Sequence, residues 1–281
     1  MRCPECAEQL DLDRLTCAHG HTFQHEDGVL ILLSQEMYAP LRAFTERLSA
    51  IRQAEGRRQL DPKWFPSLPY VEGGRDQHEW RLRRADLAVL VRLLRGRGRL
   101  RVLDVGAWNG WLSYQMTRRG HNVTAVDYMT DEYDGLRAQK FYPVGWRAIQ
   151  MDLANLLPLE PPFDCIVVNR CLPFFPKPIQ WAGHVKELLA PGGLLVLTGL
   201  QFFVDPREKA RAVRETQQFY RDNHQFELFF RPTKGYLDGH DRRELRHTGF
   251  QLHSYPQLWA ANLKALVWRQ LPFHMYGIWR S

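Results

Sequence analysis

From residue 100 onward the chain alternates short apolar runs with amphipathic stretches. Segments 100–105, 122–127, 146–151, 165–169 and 194–198 are apolar, β-branched runs of strand length. Helical spacing predicts helices running to about residue 119 after the first strand, then over 132–139, 179–189, 206–222 and 241–247. An apolar helix over 257–271, which includes Trp259, Leu263, Leu266, Val267 and Trp268, is expected to lie on the sheet rather than on a membrane. Segments 250–255 and 273–279 read as two further strands, and Pro191-Gly192-Gly193 as a turn. Ahead of this region, Trp80, Leu87, Leu90, Val91 and Leu94 predict a helix over 76–94, stopped by the Gly/Arg run 95–99. Three prolines in 62–70 predict an extended connector, and 35–77 shows little periodicity. Strands alternating with helices imply an α/β domain with a parallel sheet and helices on both faces.

Three of the five cysteines fall in the first seventeen residues. Cys3 and Cys6 form C-x2-C, and Cys17 follows with His19 and His21 close behind. Soft thiolates plus an imidazole at this spacing suit a closed, structural zinc site with His21 or His19 as the fourth ligand. The stretch Cys17-Ala-His-Gly-His21-Thr-Phe23 resembles the end of the zinc ribbon in ribosomal-RNA guanine methyltransferases. That resemblance implies Cys3, Cys6, Cys17 and His21 as the ligands.

The chemistry concentrates at the strand ends. Asp104-Val-Gly106-Ala107-Trp-Asn-Gly110 ends the first strand and opens a helix. Its glycine spacing is not the G-x-G-x-x-G of a dinucleotide site, and an acid beside the turn disfavours a pyrophosphate while suiting a cationic amino group. Asp127 ends the second strand, where a carboxylate can accept both ribose hydroxyls. Asp152 follows the third strand and is placed either for an adenine amino group or as a helix N-cap. A ligand with a ribose, an adenine and an ammonium group but no phosphate fits S-adenosylmethionine.

Taken as a set, Val102–Gly110, Val126-Asp127, Gln150-Met-Asp152, 163–169 and 189–194 resemble the class I S-adenosylmethionine-dependent methyltransferases. The resemblance implies a Rossmann-like α/β fold with a seven-stranded, mostly parallel sheet, helices on both faces and the small N-terminal zinc ribbon. It places Gly106, Ala107 and Gly110 around the methionine part of the cofactor, with Asp104 and Trp111 also among the expected cofactor-binding residues. Asp127 and Tyr128 fall on the ribose, Met151, Asp152 and Leu153 on the adenine, and Asn169 at the mouth of the fourth strand. Trp108 stands where the family's loop commonly has a glycine, which bears on the loop's shape. Gly110–Tyr114 and Asp134–Leu136 also match a group of bacterial methyltransferases. The expected domains are a zinc ribbon over 1–34, a linker or helical arm over 35–77, and a methyltransferase domain over 78–281 with an insertion near 200–240.

Catalysis in such an enzyme is in-line displacement, dominated by positioning, and no catalytic base stands out. The adjacent prolines of exocyclic-amine methyltransferases are missing from Asn169-Arg-Cys-Leu-Pro-Phe-Phe-Pro176, and Cys171 lacks the setting of a C5-methylation nucleophile. Tyr70, Phe174 and Phe175 are candidate substrate contacts, and His184 a bare possibility. The alternatives to a small-molecule acceptor are an RNA base, or a non-catalytic cofactor-binding module whose ribbon docks a partner.

Charge separates these readings. The 281 residues are 44% hydrophobic and 25% charged, ordinary for a globular chain, with a formal net charge of +7. Residues 1–40 carry two basic and seven acidic side chains, 41–101 fifteen and seven, 102–200 eight and nine, and 201–281 thirteen and eight. The ribbon is therefore acidic, poorly suited to grip phosphates, and RNA becomes the second choice. No eighteen-residue apolar run and no export signal are visible, so the expected location is the cytoplasm, without membrane insertion.

Overall fold

The computed structural model describes residues 1–58, 61–73 and 76–281. The arm expected over 35–77 thus includes four positions, 59–60 and 74–75, that lie outside the described residues. In chain order the strands are β1 (Leu10–Asp11), β2 (Thr16–Cys17), β3 (Gln24–Glu26), β4 (Val29–Leu32), β5 (Arg101–Val105), β6 (Asn122–Asp127), β7 (Arg147–Met151), β8 (Phe163–Asn169), β9 (Leu189–Phe203), β10 (Leu237–Asp238), β11 (Gln251–Ser254) and β12 (Pro272–Arg280). The helices are α1 (Gln35–Ala54), α2 (Gln77–Leu94), α3 (Trp111–Thr117), α4 (Pro178–Val185), α5 (Arg207–His224), α6 (Gly239–His247) and α7 (Trp259–Val267). The chain divides into two compact units, Met1–Leu68 with Gly98–Asp164, and Pro69–Arg97 with Cys165–Ser281.

The first unit is built on parallel strands in the order β4-β7-β6-β5, with β3 antiparallel on β4. Their residues are apolar on nearly every position because both faces are covered, and Val102, Leu103, Val126, Ile149 and Met151 are fully buried. The apolar run at 29–33 is a sheet strand, with Val29 opposite Ala148 and Leu32 opposite Met151. The segment after it forms the twenty-residue helix α1, which buries Met37, Leu41, Thr45, Ser49 and Ile51. Its face is masked in the sequence by Thr45, Ser49 and the internal Pro40. Residues 62–67, expected to be extended, form a 3₁₀ turn. Pro62 presets the first turn and the Asp61 side chain caps it at Lys63 N. The helix expected over 132–139 shrinks to a 3₁₀ turn, Leu136–Phe141.

The second unit orders its strands β8-β9-β12-β11, with β10 parallel on the end of β9. β12 runs antiparallel to both β9 and β11. Pro191-Gly192-Gly193 does not break the chain into a turn. It lies within β9, where Gly192 takes a left-handed φ of 74° and the residues precede the register with β12, which begins at Leu194. The sheet strands of the two units number ten among the described residues, five in each, rather than seven. The added strands are the short β3, β4 and β10.

Candidate functional site

In the first unit β5 delivers Asp104 to the end of a buried strand, and the chain turns at once into α3. Gly106 (φ 70°) and Gly110 (φ 75°) occupy the left-handed region that favours glycine. A Cβ on Gly110 would lie 2.2 Å from the ring of Trp146, so that position admits no side chain. The amides of Gly106 and Ala107 both donate to the Val126 carbonyl, at 2.9 and 3.1 Å, tying the loop to β6. Trp108 also takes a left-handed φ, 51°, without being glycine. It is held at two points, the second of them braced by a third residue. Its amide donates to Asp127 Oδ2 (2.7 Å), its indole Nε1 donates to Asp134 Oδ1 (3.2 Å), and Asp134 in turn accepts from Arg52 Nε of α1 at 2.6 Å.

Asp104 is 1% exposed. Its Oδ2 accepts from the Ser113 hydroxyl at 2.7 Å, and its Oδ1 is buried with no hydrogen-bond partner among the described residues. Burial, opposed by the Ser113 hydrogen bond and reinforced by the charge of Asp127, pushes the Asp104 carboxyl up to about 7. Asp127 is raised as well, by burial, against the amides of Met129, Trp108 and Tyr128 that favour its charged form. Its Oδ1 accepts from Met129 N at 2.8 Å. Tyr128 and Asp152 meet directly, the phenol donating to Asp152 Oδ1 at 2.9 Å, and the same oxygen accepts from Ala154 N. Met151 and Leu153 are buried and Trp111 packs inward. The neighbouring ends of β5, β6 and β7 thus gather every first-unit residue expected around a cofactor.

The N-terminal segment of the same unit gathers Cys3, Cys6, Cys17 and His21, whose ligand atoms all lie within 4.8 Å of one another. Cys6 Sγ is 3.6 Å from Cys17 Sγ, and His21 Nδ1 is 3.5 Å from Cys3 Sγ and 3.3 Å from Cys17 Sγ. Zinc bonds of about 2.3 Å to sulfur and 2.0 Å to nitrogen give tetrahedral edges of about 3.5–3.8 Å. The donor set and its spacing fit that ion. His21 completes the cluster and His19 is outside it.

In the second unit Asn169 ends β8 and its amide donates to Asp86 Oδ2 (3.1 Å) and Thr198 Oγ1 (2.8 Å). Asp86 is fully buried and also accepts from Arg170 Nε (2.6 Å) and the Tyr255 hydroxyl (2.6 Å). Of the aromatic candidates, Phe175 is buried and stacked on Trp181 at 3.7 Å, a packing position. Phe174 is exposed beside Phe229, and Tyr70 is exposed under the Arg84 guanidinium. Cys171 is half-buried and His184 lies on the exposed side of α4.

A family model described as a methyltransferase domain matches residues 36–254. The chain belongs to that methyltransferase-domain family. It is 29% identical over 160 residues to the ubiquinone biosynthesis O-methyltransferase of Xylella fastidiosa (strain M23), covering 54% of this chain and 61% of that protein. It is 26% identical over 138 residues to protein-L-isoaspartate O-methyltransferase 2 of Pelobacter propionicus, covering 48% and 58%. The chain spans about three-fifths of the length of these curated relatives. Among solved structures, phosphoethanolamine N-methyltransferase 2 of Haemonchus contortus superposes with a TM-score of 0.50 at 15% identity, covering 84% of this chain and 59% of that one. That likeness concerns the fold.

Within this methyltransferase-domain chain, sequence reasoning passed over Asp134, Arg52 and Asp86 as site residues. Asp134 stood in plain view in the Asp-Gly-Leu motif. The structure explains its glycine, since a Cβ on Gly135 would lie 2.3 Å from the amide nitrogen of Asp131. Asp86 carried its own signal as a lone acid among the buried Leu82, Ala85, Leu87, Val89 and Leu90 of α2. Arg52 carried none, because its partner is 82 residues away.

Proposed function

We propose that the chain is an S-adenosylmethionine-dependent methyltransferase acting on a small-molecule acceptor. One observation carries the reading: Asp104 presents a buried, unbonded carboxylate oxygen beside a glycine turn. A cationic amino group satisfies that oxygen and favours its charged form, whereas a phosphate would be repelled. Gly106, Ala107 and Gly110 bring bare backbone close to the same point. Asp127 accepts from Trp108 N on Oδ2 and from Met129 N on Oδ1, and its carboxylate keeps acceptor capacity for a ribose hydroxyl. Met151 and Leu153 supply apolar surface for a purine, and Asp152, steadied by Tyr128, an acceptor beside it. When bound, the cofactor supplies a methyl group activated on a sulfonium. The chain's own residues bind it, fix its orientation and exclude water from the Asp104 carboxyl.

A small-molecule acceptor is favoured over RNA by the acidic N-terminal segment, and the name of the relative from Xylella fastidiosa, a ubiquinone biosynthesis O-methyltransferase, agrees with it. Cys3, Cys6, Cys17 and His21 are assigned to one structural zinc, with no position left open for a substrate.

Calorimetric titration tests the cofactor. S-adenosylmethionine and S-adenosylhomocysteine are expected to bind, with Asp104→Asn weakening both by about tenfold or more, since both carry the amino group. Binding of a nicotinamide nucleotide in their place overturns the reading. Incubation with methyl-labelled cofactor and either a metabolite extract or total RNA tests the acceptor. Label in the RNA fraction overturns the small-molecule assignment, and no transfer to either favours a non-catalytic binding module.

A further inference from the structure

The sequence pattern predicts that the apolar helix near the C-terminus lies on the sheet, and the structure turns that helix the other way. α7 buries only Asn262 and Ala265, and it is the Asn262 amide that docks it, exchanging hydrogen bonds with the backbone of His274 on β12 at 2.7 and 3.1 Å. Its apolar side faces water. Trp259 is 65% exposed, Leu266 64% and Val267 72%, and Leu263, Trp268 and Leu271 are exposed with them. Positions 259, 263, 266 and 267 share one stripe of a 3.6-residue helix, about 100° wide, and Trp268 and Leu271 extend it past the C-terminus. A monomer in water gains nothing from such a stripe, and contiguous apolar patches of this kind mark interaction surfaces.

Charge and residue type choose the occupant. No aspartate or glutamate occurs after Glu244, so every charged side chain in residues 245–281 is positive, among them Lys264 and Arg269 of this segment. Both are exposed. One acid from elsewhere in the unit, Asp205, lies against Arg269, its amide donating to the Arg269 carbonyl at 3.0 Å. A protein groove that accepts an apolar helix does not require this one-sided charge, whereas an anionic bilayer surface does. Tryptophans stand at both ends of the stripe, 259 and 268, and tryptophan is the residue whose apolar ring and polar N–H suit the headgroup boundary. Among the described residues no helix is long and apolar enough to cross a membrane, so the contact is one that lies in the interface plane.

We infer that α7 and the residues up to Leu271 form an interfacial anchor that seats the second unit on an anionic lipid surface. The anchor is tied to the polar cluster of that unit. Tyr255, four residues ahead of α7, donates to Asp86 and accepts from Gly199 N at 2.7 Å. An amphiphilic acceptor held in the same lipid surface is the kind of small molecule such an arrangement serves.

Flotation of the full chain with vesicles tests the anchor independently of any methyl transfer. The chain is expected to rise with equal-part phosphatidylcholine/phosphatidylglycerol vesicles, to do so about tenfold less with phosphatidylcholine alone, and to be released at high salt. Leu263→Gln with Val267→Gln should abolish flotation, and Lys264→Glu with Arg269→Glu should abolish it while leaving every apolar side chain in place. Unchanged far-UV circular dichroism and unchanged S-adenosylmethionine affinity show that these variants fold. Flotation that neither pair of substitutions alters overturns the proposal. So does a wild-type chain that stays at the bottom of the gradient, or a dimer in solution that Leu263→Gln with Val267→Gln dissociates, since a second copy then covers the stripe.

Discussion

The indole nitrogen of Trp108 and the carboxylate of Asp134, twenty-six residues apart in the chain, meet at 3.2 Å, and Arg52 closes the arrangement from the far side of Asp134. Trp108 sits in a backbone conformation that costs a non-glycine residue about 1 kcal/mol. The bonds to Asp127 and Asp134 hold it there. Asp134 is 2% exposed, so its charge is compensated by Arg52 and by little else. Removing Asp134 leaves Arg52 unpaired and frees the loop.

Asp134→Ala is accordingly expected to cost about 2–4 kcal/mol of stability and to weaken S-adenosylmethionine binding by about tenfold. Trp108→Phe removes the indole donor alone and should cost about 1 kcal/mol. Denaturant titrations of the two single variants and the double variant measure the coupling. A coupling energy near zero would show that the two side chains act independently.

The Asp104 carboxyl predicts a pH dependence with a definite sign. Its folded value of about 7 lies above the usual 3.8, so the stability it contributes is fully present below about pH 4 and is lost as pH rises through about 7. In the cofactor-free protein this group opposes folding by up to about 4 kcal/mol at alkaline pH, and Asp104→Asn should remove that slope from thermal melts. Binding of a cation reverses the preference. Affinity for S-adenosylmethionine should rise by about tenfold between pH 6 and pH 8 in the wild type and stay flat in Asp104→Asn, read by calorimetry at both values.

The parts legible in the sequence are those whose cause is local. The turn 104–110 was readable because strand, glycines and helix follow one another within a dozen residues. The same holds for Asp127 and Asp152, each at the end of its own apolar run. The grouping of Cys3, Cys6 and Cys17 was readable from the C-x2-C spacing, and the choice of His21 over His19 came from the resemblance to a zinc ribbon. What stayed hidden depends on distant partners. The run 29–33 looked like the end of the ribbon, and only its pairing with β7 makes it a sheet strand. α1 buries Thr45 and Ser49 alongside its apolar residues, which blurs its periodicity. The orientation of α7 could not be read from its composition, because Asn262 rather than its tryptophans makes the contact with β12.

The zinc proposed at Cys3, Cys6, Cys17 and His21 predicts a local loss of structure on chelation. Around it only Met1, Cys3, Leu10 and Cys17 are buried among residues 1–28, too little apolar surface to hold the segment without a metal. Elemental analysis should find about one zinc per chain. Its removal, or Cys6→Ser, should speed amide exchange over residues 1–26 while β5 and β6 stay protected, as hydrogen-exchange mass spectrometry can resolve. A chain without zinc whose first 26 residues exchange slowly would refute the assignment.

The second unit offers a steric test. Arg170 takes a left-handed φ of 59°, and its side chain passes so close to Gly199 that a Cβ there would lie 2.2 Å from Arg170 Cγ. Gly199 is itself at φ 65°, so Gly199→Ala meets both an unfavourable backbone and a clash. The displaced arginine would leave Asp86, which is fully buried, with only Asn169 and Tyr255 as partners among the described residues. Gly199→Ala is expected to cost about 3–5 kcal/mol, as breaking a buried ion pair does, and Asp86→Asn nearly as much. Tyr255→Phe deletes one hydrogen bond and leaves the Gly199 amide without its acceptor, a loss of about 1–3 kcal/mol. If the cost of Gly199→Ala comes through Arg170, then Arg170→Ala should relieve the clash and the double variant should be no less stable than Arg170→Ala alone by more than about 1 kcal/mol, the backbone penalty that remains at position 199.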